Sequence, residues 1–116
     1  MADRELDALV AEKVMGFEVG IYESYRGITG ISYVCKDKYP SGEFDLPNYS
    51  TDIKAAWEVV EKFSDESFEL DHFCDGVWTC KFRWVDDEGE SEAEAKAKTA
   101  PRAICLAALK AMGVEV

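Results

Sequence analysis

A chain of 116 residues with 47% apolar side chains, 24 acids and 13 bases carries a formal charge of −11. That length fits one domain, 1–116, able to bury roughly two thirds of the surface its unfolded chain exposes, and the apolar content excludes a disordered chain. The charge argues against non-specific binding of nucleic acid or of an anionic membrane, because both need a basic face.

Residues 3–15 are predicted helical. Leu6, Leu9, Val10 and Val14 share one face, and Gly16 follows as a stop. The run FEVGIYESY, 17–25, reads as a strand with Phe17, Val19, Ile21 and Tyr25 on one side. RGITG, 26–30, is a turn region, ISYVCK, 31–36, a second strand, and 37–48 a long connection with a short strand at 43–46. A helix is then predicted from about Thr51 to Phe63, with Ile53, Ala56, Trp57, Val60 and Phe63 on its apolar face. Ser50 or Thr51 is its expected N-cap, and Asp52 in the first turn suits the positive helix end.

Registers can be derived for 66–98. SFELDHF and VWTCKFRWV both alternate, and CDG lies between them. A two-residue Asp75-Gly76 turn would set Phe68, Leu70 and His72 on one face with Arg83, Lys81 and Thr79, mixing oil with charge. A three-residue loop, Cys74 to Gly76, with Gly76 left-handed, instead pairs His72 with Trp78, Leu70 with Cys80 and Phe68 with Phe82. Glu69 then meets Lys81, and Ser67 meets Arg83. The segment ESEAEAKAK, 90–98, has helical composition but strand alternation. A four-residue turn at 86–89 sets Ser91, Ala93, Ala95 and Ala97 opposite Trp84, Phe82, Cys80 and Trp78. It also brings Glu94 to Lys81 and Glu92 to Arg83, so a strand is predicted, its alanines marking close packing. TAPRAICLAALKAMG, 99–113, is the last helix, capped by Thr99 and ended by Gly113. Its small and apolar composition predicts burial on most sides.

Cys35, Cys74, Cys80 and Cys105 form no CxxC and read as small core residues of a reducing compartment. His72, the single histidine, is expected in the core, and the three tryptophans mostly so. No P-loop, GxGxxG, GxSxG or HExxH motif is present, so an enzyme is not expected and no metal or cofactor is implied. No signal-peptide or transmembrane pattern is visible, and a cytosolic protein is expected.

Three segments, LVAEKVMGF, STDIKAAWEVVEKF and TAPRAICLAALKAM, resemble those of the phage ABA sandwich domain family. The resemblance covers the first 17 residues and most of 47–113, and leaves 18–46 unaligned. It implies an α/β sandwich encoded by a phage or prophage, working in the host-cell cytosol, and it carries over no catalytic residue. The fold expected is α+β: an antiparallel β-meander packed with about three helices in a layered α/β sandwich. The word sandwich suggests helices on both sheet faces, whereas the derived register leaves one face charged.

Two helix starts with hydroxyl caps can hold an anion, since helix N-termini present free amides and partial positive charge. If the starts lie together, Ser50, Thr51 and Thr99 would line one pocket. Arg102 would supply a bidentate donor, and Tyr49 or Trp57 a stacking surface. Tyr39, Phe44 and Tyr49 of the long connection could close over the ligand. The alternative is that these residues only cap helices. Three roles follow. One is a non-catalytic, anti-defence binder that sequesters a nucleotide-derived immune signal. Another is an acidic module that binds a basic host protein. The last is a homo-oligomeric structural protein joined through its charged sheet face.

Overall fold

The computed structural model describes residues 3–23, 31–37, 42–63 and 67–115. Helix α1 spans Asp3–Leu9 and continues as a π-helical segment, Val10–Val14, with the Met15 N–H donating to the Val10 carbonyl at 3.0 Å. Gly16, at φ 79°, ends it. Strands β1 (Glu18–Glu23), β2 (Ile31–Asp37) and β3 (Gly42–Asp45) form one antiparallel sheet in that order. Helix α2 follows at Ile53–Lys62. Strands β4 (Ser67–His72), β5 (Trp78–Asp86) and β6 (Gly89–Ala97) form a second sheet, and α3 (Ala100–Ala111) completes the fold. The α+β class holds, with the strands divided between two three-stranded meanders. The turn read at 26–30, and Tyr39, lie outside the described residues. Phe44 lies in β3, with its backbone opposite Cys35 of β2.

The second sheet follows the derived register at every position. His72 pairs with Trp78, Leu70 with Cys80 and Phe68 with Phe82, and Ala93, Ala95 and Ala97 lie opposite Phe82, Cys80 and Trp78. Gly76 sits at φ 83°, a conformation L-residues avoid, and its N–H donates to the Phe73 carbonyl at 2.9 Å. The Val77 N–H turns instead to the Asp75 carboxylate at 3.0 Å. This three-residue loop shifts the pairing by one, so all the oil falls on one side.

That oily side carries Cys80, Phe82 and Ala95 into the core, where Phe82 lies 4.6 Å from Phe63 and 5.4 Å from Phe68 between ring centres. The alanines of β6 let α3 pack against β5 and β6. α3 also packs on α2, α1 and the π segment, and the π segment meets β1. The layers therefore run from the second sheet through α3 and α2 to the π segment and β1. The helices cover one face of the second sheet, which leaves the outer face of β4–β6 free to be charged. There Lys81 pairs with Glu94 at 3.6 Å, and Arg83 with Glu69 at 3.6 Å and Glu92 at 3.4 Å. Central on that face, Thr79 is buried, and its hydroxyl has no hydrogen-bond partner among the described residues.

Several local readings are corrected. His72 is exposed at the strand end and stacks on Trp78 with ring centres 4.3 Å apart. Cys74 is exposed in the loop, whereas Cys35, Cys80 and Cys105 are buried. Among the described residues no helix is long and apolar enough to cross a membrane.

Candidate functional site

The starts of all three helices gather around Asp3 and Asp7. Asp7 falls beside Val10 and Ala11 on the α1 wheel, so the fold takes its carboxylate inside. One oxygen of Asp7 accepts the Ser50 N–H at 2.7 Å, and the other accepts the Arg4 guanidinium at 3.0 Å. Arg4 also donates to the Leu46 carbonyl at 2.9 Å and to Asn48 Oδ1 at 2.7 Å. Ser50 Oγ donates to the Asp3 carbonyl at 3.2 Å, and Arg102 donates to the Asp3 carboxylate at 2.8 Å. Asp3 thus ties the lead-in to α2 to the first turn of α3.

The lead-in to α2 and the start of α3 are joined here through Asp3, but their donors already serve the chain's own oxygens. Ser50 is buried and its N–H is taken by Asp7. Thr51 is exposed and precedes the cap, which is Asp52: its carboxylate accepts the Lys54 N–H at 3.0 Å. The shift of cap from Ser50 or Thr51 to Asp52 follows from Asn48, whose carbonyl accepts both the Thr51 and the Asp52 N–H and holds 48–52 in a turn. Thr99 occupies the N-cap position of α3 with extended backbone, yet its side chain makes no capping bond.

Tyr49 is fully buried, so it forms part of the core rather than a stacking surface. Burial pushes its phenol well above the ordinary tyrosine range, and the neighbouring Cys35, Glu58, Cys105 and Asp7 add to the rise. Burial likewise raises the Cys105 and Cys35 thiols, and lifts Cys80 to about 12. These thiols are protonated and inert at neutral pH. Among the described residues no three His, Cys, Asp or Glu side chains converge as metal ligands.

Helix α2 departs from its predicted face. Its buried stripe is Ala56, Val59 and Phe63, while Ile53 and Trp57 are 49% and 46% exposed. Small Ala56 faces inward, so α2 can pack on α3 and Trp57 is left at the margin, edge-on to Phe68 at 5.8 Å. Ile53, Lys54, Trp57, Glu58 and Glu61 line a recess of about 490 Å³ there. The signal for this shelf was available as two overlapping apolar stripes on α2, one too many for a helix packed along a single face.

The fold, with its second meander roofed by α2 and α3, can be set beside known proteins. The family model of the phage ABA sandwich domain matches residues 8–109. The chain belongs to that family. The phage ABA sandwich match runs through 18–46, the stretch that the sequence resemblance left unaligned. The chain is also similar to a crystal structure of a phage protein from Bacillus cereus ATCC 14579, with 26% identity, a TM-score of 0.71, and coverage of 100% of this chain and 92% of that one. No curated protein matches. Sequence reasoning does not single out Asp3, Arg4 and Asp7, which organise the helix starts of this phage ABA sandwich domain. Their signal was Asp7 lying three and four residues before the apolar Val10 and Ala11.

Proposed function

We propose that this phage ABA sandwich protein is a non-catalytic binding domain that grips a basic, amphipathic segment of a host protein through the exposed face of α2. The carrying observation is the pair Ile53 and Trp57, two large apolar side chains about half exposed beside Glu58 and Glu61. Exposed tryptophan in a shallow recess is the residue type that dominates binding energy at interfaces. The two glutamates, on a chain of net charge −11, select a cationic partner and speed its approach. The bonds at the helix starts support this choice over an anion, since Asp3, Asp7 and Asp52 take the donors an anion would need.

The test is capture from host extract on the immobilised protein. The wild type is expected to retain a basic protein at low salt and release it as salt rises. Trp57→Ala and the Glu58→Lys, Glu61→Lys pair should each lose it. If the two variants retain the same proteins as the wild type, the reading fails.

A second reading, sequestration of a nucleotide-derived immune signal, draws support from one feature. The α3 start lacks a side-chain cap. A bound cyclic nucleotide or ADP-ribose derivative at a hundredfold excess over its dissociation constant should add about 2.7 kcal/mol to stability. An unmoved thermal midpoint across that panel removes this second reading.

A further inference from the structure

We propose that two copies of this chain pair through the open edge of β6, antiparallel and centred on Glu94. β6 is nine residues long, and β5 flanks it on one side; on the other, among the described residues, it has no partner strand. The Lys110 ammonium donates to the Glu94 carbonyl at 2.9 Å. That carbonyl therefore points away from β5. Backbone groups alternate in direction along an antiparallel strand, so Glu92 and Lys96 also aim their N–H and C=O at the open side.

The same residues carry the charges. Reading along the edge, Glu90, Glu92 and Glu94 are followed by Lys96 and Lys98. The acids lie at one end and the bases at the other. In an antiparallel pair centred on Glu94, Glu92 faces Lys96 of the second copy, and Glu90 comes opposite Lys98, the residue just past the end of β6. The twofold repeats both, giving four opposite-charge pairs between side chains that are all exposed in the single chain. The one like-charge meeting, Glu94 with its own copy, is offset on each side by Lys81, whose ammonium lies 3.6 Å from the Glu94 carboxylate. On the other face Ala93 meets Ala95, too small to clash. A parallel pair would set like against like. Charge at a sheet edge ordinarily repels other strands; here the order of the charges makes an exception for the chain itself. Lys110 competes for the same carbonyl, so pairing displaces it.

A single strand pair buries less than a standard interface, so the dimer is expected to be weak and concentration-dependent. Sedimentation equilibrium of the full chain at low and high salt reads it, with the dimer loosening as salt rises. Lys96→Glu with Lys98→Glu reverses one end, and Glu90→Lys with Glu92→Lys the other. Each double variant alone should raise the dissociation constant at least about tenfold. Mixed together they should restore a heterodimer of wild-type strength. Lys110→Met keeps all four charges and frees the carbonyl, so it should tighten the dimer. A wild type that stays monomeric at high concentration and low salt overturns the proposal. So does a dimer that tolerates both reversals, or one that Lys110→Met loosens.

Discussion

The Asp7 carboxylate accepts the backbone N–H of Ser50 at 2.7 Å, tying α1 to the segment that leads into α2. Both residues are buried, so water cannot take over the bond if it is lost. Asp7→Ala would orphan that N–H and remove the acid paired with Arg4. A cost of about 2–3 kcal/mol is expected, seen as a lower urea midpoint with an unchanged slope. A loss below about 0.5 kcal/mol would show that the bond is dispensable.

The hydroxyl of Thr79, buried without a partner, points to the opposite kind of substitution. Thr79→Val keeps the branched shape and removes the unmet polar group. A gain of about 1 kcal/mol is expected, readable as a higher thermal midpoint, while Phe82→Ala in the same strand should cost about 3–5 kcal/mol. Should Thr79→Val destabilise the chain, the hydroxyl must be bonded in solution.

Gly76 holds the loop that sets the register, at φ 83° with open space around its Cα. Gly76→Ala therefore meets no steric neighbour, and its cost is conformational alone, about 1–3 kcal/mol. Gly76→Asn, which tolerates the left-handed region better, should cost less. Equal stability of the three proteins would mean that the loop relaxes to another turn.

Four thiols divide three to one. Cys74 is exposed, and the other three are buried. A thiol reagent added to the native protein should modify Cys74 at once and the rest only on unfolding. Prompt reaction of all four would contradict the core described above.

The buried thiols also set an alkaline limit. Unfolded cysteine ionises near about 8.5, but burial holds Cys80 up to about 12 and raises Cys35 and Cys105 as well. The folded pKa lies above the unfolded one, so this stability is fully present below about pH 8.5. It declines as pH rises from there towards the folded values, by up to about 1.4 kcal/mol per pH unit for each thiol. Urea midpoints should be flat through neutrality and fall in alkali. Cys80→Ala should lessen the alkaline slope, and Cys74→Ser should not. An alkaline slope untouched by Cys80→Ala would place its origin elsewhere.

Much of this fold is legible in the sequence where two independent patterns agree. In β4–β6 the oily and the charged faces each favour one register, and a one-residue slip would spoil both, so the pairing follows from residues alone. Strand β3 likewise lies close to its predicted place. The candidate site was harder to read, because caps depend on where the chain enters a helix. Asn48 spends its carbonyl on two amides and moves the cap to Asp52. Nothing local to Ser50 reveals that an aspartate 43 positions earlier will take its N–H. The face of α2 is ambiguous for a similar reason: periodicity offers Trp57 and Val59 alike, and only the neighbouring α3 decides which is covered.

Helix α3 lies between the second sheet and the π segment although its residues follow all six strands in the chain. During synthesis, Phe82, Val10 and Ala56 emerge well before Ile104 and Leu109 exist to cover them. Until then those earlier residues lack α3 to pack against. Closure of this core therefore awaits α3, and a chain cut before residue 100 is expected to leave Phe82, Val10 and Ala56 uncovered.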